Sequence, residues 1–188
     1  MNDKEYCNYL KTRSKFAYLY RKVFLYPRII KKTQGKVLDF GCGIGDFLSV
    51  MPNSTGVDIN KYCVDYCNEK DLSAFHIKDS IIPFPDNTFD SVILDNVYEH
   101  LSDTNSVMVE VIRVLKSNGI VIVGVPGIKG FTKDSTHIKY YDDVMLAHSL
   151  SKYYFKNLGF FYSPLIKSSI LSKVLSSYAT WGIFRNIK

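Results

Sequence analysis

The stretch Lys36-Val37-Leu38-Asp39-Phe40-Gly41-Cys42-Gly43-Ile44-Gly45 decides the fold. Its first half is a short apolar run of the kind that fills a buried strand. Its second half places glycine at three alternate positions. Such a turn lets the backbone bend sharply and approach a ligand where a Cβ would collide. A buried strand running straight into a glycine-rich turn marks the ligand-binding edge of an α/β sheet.

Working outward, the same rhythm continues. Thr55–Asp58 reads as a second strand, followed by a helix from about Asn60 to Lys70. Ala74–Lys78 reads as a third strand and Ser91–Asp95 (SVILD) as a fourth. Asp103–Lys116 is an amphipathic helix with Asn118-Gly119 as its stop, and Ile120–Val125 (IVIVGV) is a fifth strand. Beyond Pro126 come a helix from about Asp142 to Asn157 capped by Gly159, a strand Phe160–Ile166, a helix near Ser169–Tyr178 and a strand Thr180–Ile187. Strands alternating with helices imply a mostly parallel sheet covered on both faces. Upstream, residues 4 to 26 show helical spacing, which Pro27 is expected to end.

The 188 residues, 46% of them apolar, suffice for one domain with a core of its own. Residues 1–34 are expected to form an N-terminal helical lid and 35–188 the core. Charged residues near the start interrupt any secretory run, and no stretch approaches the ~20 apolar residues of a membrane span. Four cysteines, Cys7, Cys42, Cys63 and Cys67, are too few for a disulfide framework and lack zinc-finger spacing, so a reducing, cytoplasmic setting is expected. The net charge of +6 is uneven. Residues 1–32 carry nine Lys or Arg against two acids, 33–160 eleven against sixteen, and 161–188 four against none. Basic ends suit an anionic partner, or simply a solvated surface.

The ends of the strands carry the chemistry. Asp58 can accept two hydrogen bonds from a ribose diol, which with the glycine turn indicates a nucleoside. A dinucleotide fold places a third glycine where this chain has Asp46, an acid that would repel a diphosphate. A phosphate-free nucleoside such as S-adenosylmethionine fits better.

In order and spacing, residues 36 to 126 resemble the class I S-adenosylmethionine-dependent methyltransferases. VLDFGCGIG looks like their first motif and GVDIN like the acidic end of their second strand. HIKDSIIPFPDNTFDSVILDNVYEHL is similar to their third and fourth strands, and RVLKSNGIVIVGVP to their helix, turn and fifth strand. The resemblance implies a Rossmann-like seven-stranded sheet in the order 3-2-1-4-5-7-6. It also implies S-adenosyl-L-methionine as cofactor. Asp39 and the backbone from Gly41 through Cys42 and Gly43 to Gly45 would hold its amino-acid end. Asp58 would bind the ribose and Ile59 pack on the adenine. Asp79, with Ser80 beside it, would accept from the adenine amino group. Asp95 and Asn96 would line the pocket beside the sulfonium.

If the acceptor is a hydroxyl, a base that takes its proton adds to catalysis. His100, after the fourth strand, and His137, after the fifth, are the candidates, His137 slightly ahead. His76 and His148 receive no role. Some relatives that methylate quinone precursors bind a metal through Glu-x-x-Glu-His at the position of Asn96 to His100. Asn96 removes one anionic ligand, so no metal is expected. The Asp/Asn-Pro-Pro-Tyr of nucleobase methylation is also missing, since Asp95-Asn96-Val97-Tyr98 has neither proline. Tyr6, Tyr9, Tyr18, Tyr20 and Tyr26 could furnish an aromatic lid, and Arg13 or Lys15 could meet an anionic acceptor. No RNA-binding module accompanies them, so nucleic acid is not the expected partner. The leading expectation is methyl transfer to a small-molecule or sugar hydroxyl. An RNA or protein methyltransferase, and a non-catalytic cofactor-binding protein, are the alternatives.

Overall fold

The computed structural model describes residues 2–12 and 14–188. Arg13, expected as a contact for an anionic acceptor, lies outside the described residues. Seven strands form one sheet: β1 Val37–Phe40, β2 Thr55–Asp58, β3 Ala74–His76, β4 Phe89–Asp95, β5 Leu115–Pro126, β6 Phe155–Ser163 and β7 Ala179–Asn186. Their order is β3-β2-β1-β4-β5-β7-β6, as expected. The first five run parallel, whereas β7 lies antiparallel between β5 and β6.

Among the described residues eight α-helices accompany the sheet: α1 Asp3–Lys11, α2 Lys15–Tyr20, α3 Tyr26–Ile30, α4 Lys61–Asn68, α5 Thr104–Val114, α6 Ile128–Phe131, α7 Asp143–Ser151 and α8 Ser169–Val174. Alternate strand residues divide between two cores, as the two-residue period of a strand requires. Leu38, Phe40, Val92, Leu94, Val121 and Val123 pack under α5 and α7. Val37, Ile93, Ile120 and Ile122 pack with Leu25, Tyr26, Ile29 and Trp181 on the opposite face. Asp39 follows Leu38 and so turns toward the face covered by the N-terminal helices. No helix among the described residues is long and apolar enough to cross a membrane.

Several local expectations are corrected. Pro27 does not end the N-terminal helix. A π-helical turn, Arg21–Leu25, precedes it, and Pro27 occupies the first turn of α3, where its missing N–H costs nothing. α1 instead ends at Lys11, and α2 starts at Lys15. Asn118-Gly119 is no helix cap: α5 stops at Val114, because Leu115 is buried and already paired with Phe89 of β4. Gly159 does not cap a helix either. α7 ends at Ser151, and Gly159 lies within β6, at a bulge where its φ of 143° suits glycine alone.

Candidate active site

The parallel strands end together on one edge, and three carboxylates gather there: Asp39 on β1, Asp58 on β2 and Asp95 on β4. The glycine turn leaves β1 between them. Gly41, Gly43 and Gly45 all have positive φ, and a Cβ on Gly41 would stand 2.5 Å from Val97 Cγ2. Asp58 secures this loop. Its Oδ2 accepts from Gly43 N at 2.7 Å, and its Oδ1 accepts from Asn60 N at 2.8 Å. Each oxygen retains a lone pair, so two further donors can still be received. Burial raises the Asp58 pKa, and the two backbone bonds oppose it.

Asp39 is 2% exposed, and its Oδ1 has no partner among the described residues. Burial, then the neighbouring charges of Asp95 and Asp58, push its pKa well above the ordinary carboxylate range. A buried carboxylate in this state favours a cationic ligand. S-adenosylmethionine carries an ammonium and a sulfonium, so the buried Asp39 carboxyl, whose Oδ1 has no hydrogen-bond partner among the described residues, fits it.

The remaining predicted contacts lie along the same edge. Ile59, just past β2, is 69% exposed for an apolar side chain, and His76 fixes its backbone by donating from Nε2 to Ile59 O at 3.0 Å. His76, given no role from the sequence, thus positions a predicted adenine contact. Asp79 and Ser80 follow β3 with φ of 50° and 65°, and Asp79 is exposed. Asn96 donates from Nδ2 to Asp95 Oδ1 at 2.9 Å. Cys42 is buried, and Cys67 of α4 donates from Sγ to Gly43 O at 3.3 Å.

Arg21 was not legible as a site residue. Its Nη2 donates to Asp95 Oδ2, and its Nε donates to Tyr26 Oη at 3.0 Å. Among its neighbours, Asp95 does most to raise its pKa, against the opposing effect of burial. Its position on a π-helical turn, an irregularity frequent at functional sites, is the structural signal. Nearby, α1 sits on the glycine loop: Leu10 Cδ1 lies 3.4 Å from where a Cβ on Gly43 would be, and Asn60 Nδ2 donates to Asp3 O at 2.8 Å. The five tyrosines that could furnish a lid differ in their surroundings. Tyr26 is buried, Tyr20 pairs with Ser163 at 2.7 Å, and Tyr9 is exposed.

His100 and His137 do come together, with ring centroids 4.6 Å apart. His137 Nδ1 lies 2.8 Å from Phe131 O, and His100 Nδ1 lies 3.3 Å from Thr136 O. A carbonyl only accepts, so both Nδ1 atoms carry the proton and both Nε2 atoms present a lone pair. Beside them is Glu99, fully buried, its pKa raised to about 8 by that burial. Backbone bonds from Ile138 and Lys139 to Glu99 O tie the loop after α6 to this point.

Comparison with known proteins agrees. The family model described as "Methyltransferase domain" matches residues 38–123. Uncharacterized protein MJ0638 of Methanocaldococcus jannaschii is 29% identical over 92% of this chain and 82% of its own length. The ubiquinone/menaquinone biosynthesis C-methyltransferase of Desulfotalea psychrophila is 32% identical over 45% of this chain and 39% of its own. The chain spans less than two thirds of the length of most curated relatives it matches. The structure of a Thermotoga maritima S-adenosylmethionine-dependent methyltransferase, a possible histamine N-methyltransferase, shares the fold with a TM-score of 0.77 at 15% identity, over 97% of each chain. Residues 38–123 therefore form the core of a methyltransferase domain. The seven-stranded fold is the one shared by class I S-adenosylmethionine-dependent methyltransferases.

Proposed function

We propose that this chain transfers a methyl group from S-adenosylmethionine to a hydroxyl of a small molecule or sugar. The observation that carries the reading is the histidine pair: two imidazoles held 4.6 Å apart, each with Nδ1 on a backbone carbonyl and Nε2 presenting a lone pair. When bound, the cofactor supplies a methyl group made electrophilic by the sulfonium. Asp39 and the backbone from Gly41 to Gly45 hold its cationic amino-acid end, with Arg21 at hand for a carboxylate. Asp58 takes the ribose hydroxyls, Ile59 the adenine face, and Asp79 with Ser80 the adenine edge. Asp95 and Asn96 border the reacting centre. Holding the acceptor oxygen close and in line is the main contribution, and loss of the acceptor's proton, promoted by the site that His100 and His137 form, adds to it.

Residues 1–34 act as the lid, with α1 lying on the glycine loop and Arg21 reaching the pocket. The four free, buried cysteines support a reducing, cytoplasmic setting. Incubation with methyl-labelled cofactor and a panel of phenols, sugars, RNA and protein tests the assignment. Label in hydroxyl acceptors, lost in the double variant His100→Ala/His137→Ala with cofactor affinity unchanged, is expected. Label confined to RNA or protein would overturn it in favour of a reading supported by the basic ends. Cofactor binding without turnover on any acceptor would leave a non-catalytic binder.

A further inference from the structure

Glu99, His100 and His137 each offer one donor atom, and these atoms all lie within 4.8 Å of one another. Neither carboxylate oxygen of Glu99 has a hydrogen-bond partner among the described residues, although the side chain is fully buried. An orphaned, buried carboxylate asks for an explanation, and a bound cation is one. His137 Nε2 lies 3.8 Å from Glu99 Oε1. Both imidazoles are oriented as metal-bound histidines are, with the other ring nitrogen donating to a carbonyl. The outer contacts extend further. Thr136, which touches His100 through its carbonyl and its hydroxyl, is itself held by Asp134 Oδ1 at 2.9 Å from its N and 2.6 Å from its Oγ1.

We propose that Glu99, His100 and His137 form a binding site for a divalent transition-metal cation. Two imidazole nitrogens and one carboxylate oxygen suit zinc, manganese or ferrous ions, and three protein ligands leave a position open. Around a tetrahedral zinc with bonds of about 2.0–2.1 Å, donors stand about 3.3 Å apart, so side-chain shifts of about 1 Å close the cluster. The sequence argued against a metal because Asn96 replaces one glutamate of a local pattern. The fold supplies the third donor from a different loop, as His137.

The chemical role rests on the hydroxyl-acceptor reading above. An acceptor hydroxyl in the open position is acidified by the cation. Its proton passes to solvent, the new O–C bond forms as the S–C bond breaks, and the electron pair of that bond stays on sulfur. The histidines then serve by holding the cation rather than by taking the proton themselves.

Metal-stripped protein titrated with Co(II), followed by visible absorption and calorimetry, tests the site. One equivalent should bind with the weak visible bands of nitrogen and oxygen donors. The affinity should fall at least tenfold in His137→Ala and in His100→Ala, and Glu99→Gln serves as a third variant, each checked for folding by circular dichroism. Absence of binding, full affinity in the folded histidine variants, or the intense near-ultraviolet band of thiolate ligation by the four cysteines would overturn the proposal. Calorimetry with S-adenosylmethionine on the same samples separates the two ideas. Lost cofactor binding in the unaltered protein counts against the methyltransferase reading, whatever cobalt does.

Discussion

The Arg21 guanidinium, on the π-helical turn before Pro27, donates through Nη2 to Asp95 Oδ2 at the end of β4, joining positions 74 residues apart. The two side chains are 20% and 10% exposed, so the pair is largely withdrawn from water. It couples the N-terminal helices to the edge where Asp39 and Asp58 also end.

Removing one partner of such a pair leaves the other uncompensated. Arg21→Ala is expected to cost about 1–3 kcal/mol in urea unfolding, toward the low side of buried pairs because some solvent reaches it. The double variant Arg21→Ala/Asp95→Asn should recover at least half of that loss. Equal destabilisation in both would show that the charge on Asp95 is not what Arg21 answers.

Asp39 carries a cost that the ligand-free protein bears alone. Its folded pKa lies above its ordinary 3.8, so its contribution to stability is fully present below that value and is lost as pH rises through the folded pKa. Asp39→Asn removes this loss. The thermal midpoint of the variant is expected to exceed that of the unaltered protein at pH 7.5, with the gap closing toward pH 4. Calorimetry should show weaker cofactor binding in the same variant. A variant less stable at every pH would refute the account.

Asp58 serves the loop and the ligand at once. Asp58→Ala leaves the N–H groups of Gly43 and Asn60 without acceptors. Hydrogen bonds to a charged group contribute about 1.5–3 kcal/mol, so the dissociation constant for S-adenosylmethionine should rise about 10- to 100-fold. Isothermal titration against the unaltered chain measures it, and a change under threefold would remove Asp58 from the cofactor site.

The tight approach at Gly41 can be probed from both sides. Gly41→Ala adds a Cβ 2.5 Å from Val97 Cγ2 at a φ of 77°. Steric overlap and backbone strain together should cost about 2–4 kcal/mol. Gly41→Ala/Val97→Ala should return only the steric share, so a denaturation midpoint between the two single-site extremes is expected.

Much of this was legible because β4 and β5 carry continuous apolar runs, Val92–Leu94 and Ile120–Val123, and an aspartate stands at or near the end of β1, β2 and β4. Leu38 and Phe40 face one core and Val37 the other, a division the two-residue period prescribes. Asp39, Asp58 and Asp95 could be placed at one edge from strand order alone. Boundaries failed where tertiary pairing outweighed a local stop signal. Leu115 is drawn into β5 by Phe89, Gly159 serves a bulge in β6, and Pro27 starts a helical turn rather than ending one. Arg21 lay hidden because nothing in its neighbourhood records a partner 74 residues away. The same holds for the meeting of Glu99 with His137, which only the folding of the loop after α6 brings about.

The place of β7 bears on how the chain reaches this state. Residues 179–186 are synthesised after β6 yet lie inside it, bonded to β5 on one side and β6 on the other. Until they emerge from the ribosome, the apolar Ile120–Val125 run has an open flank, where a stray strand from another chain could add. Nascent chains stalled short of residue 179 are the ones a chaperone would need to shield.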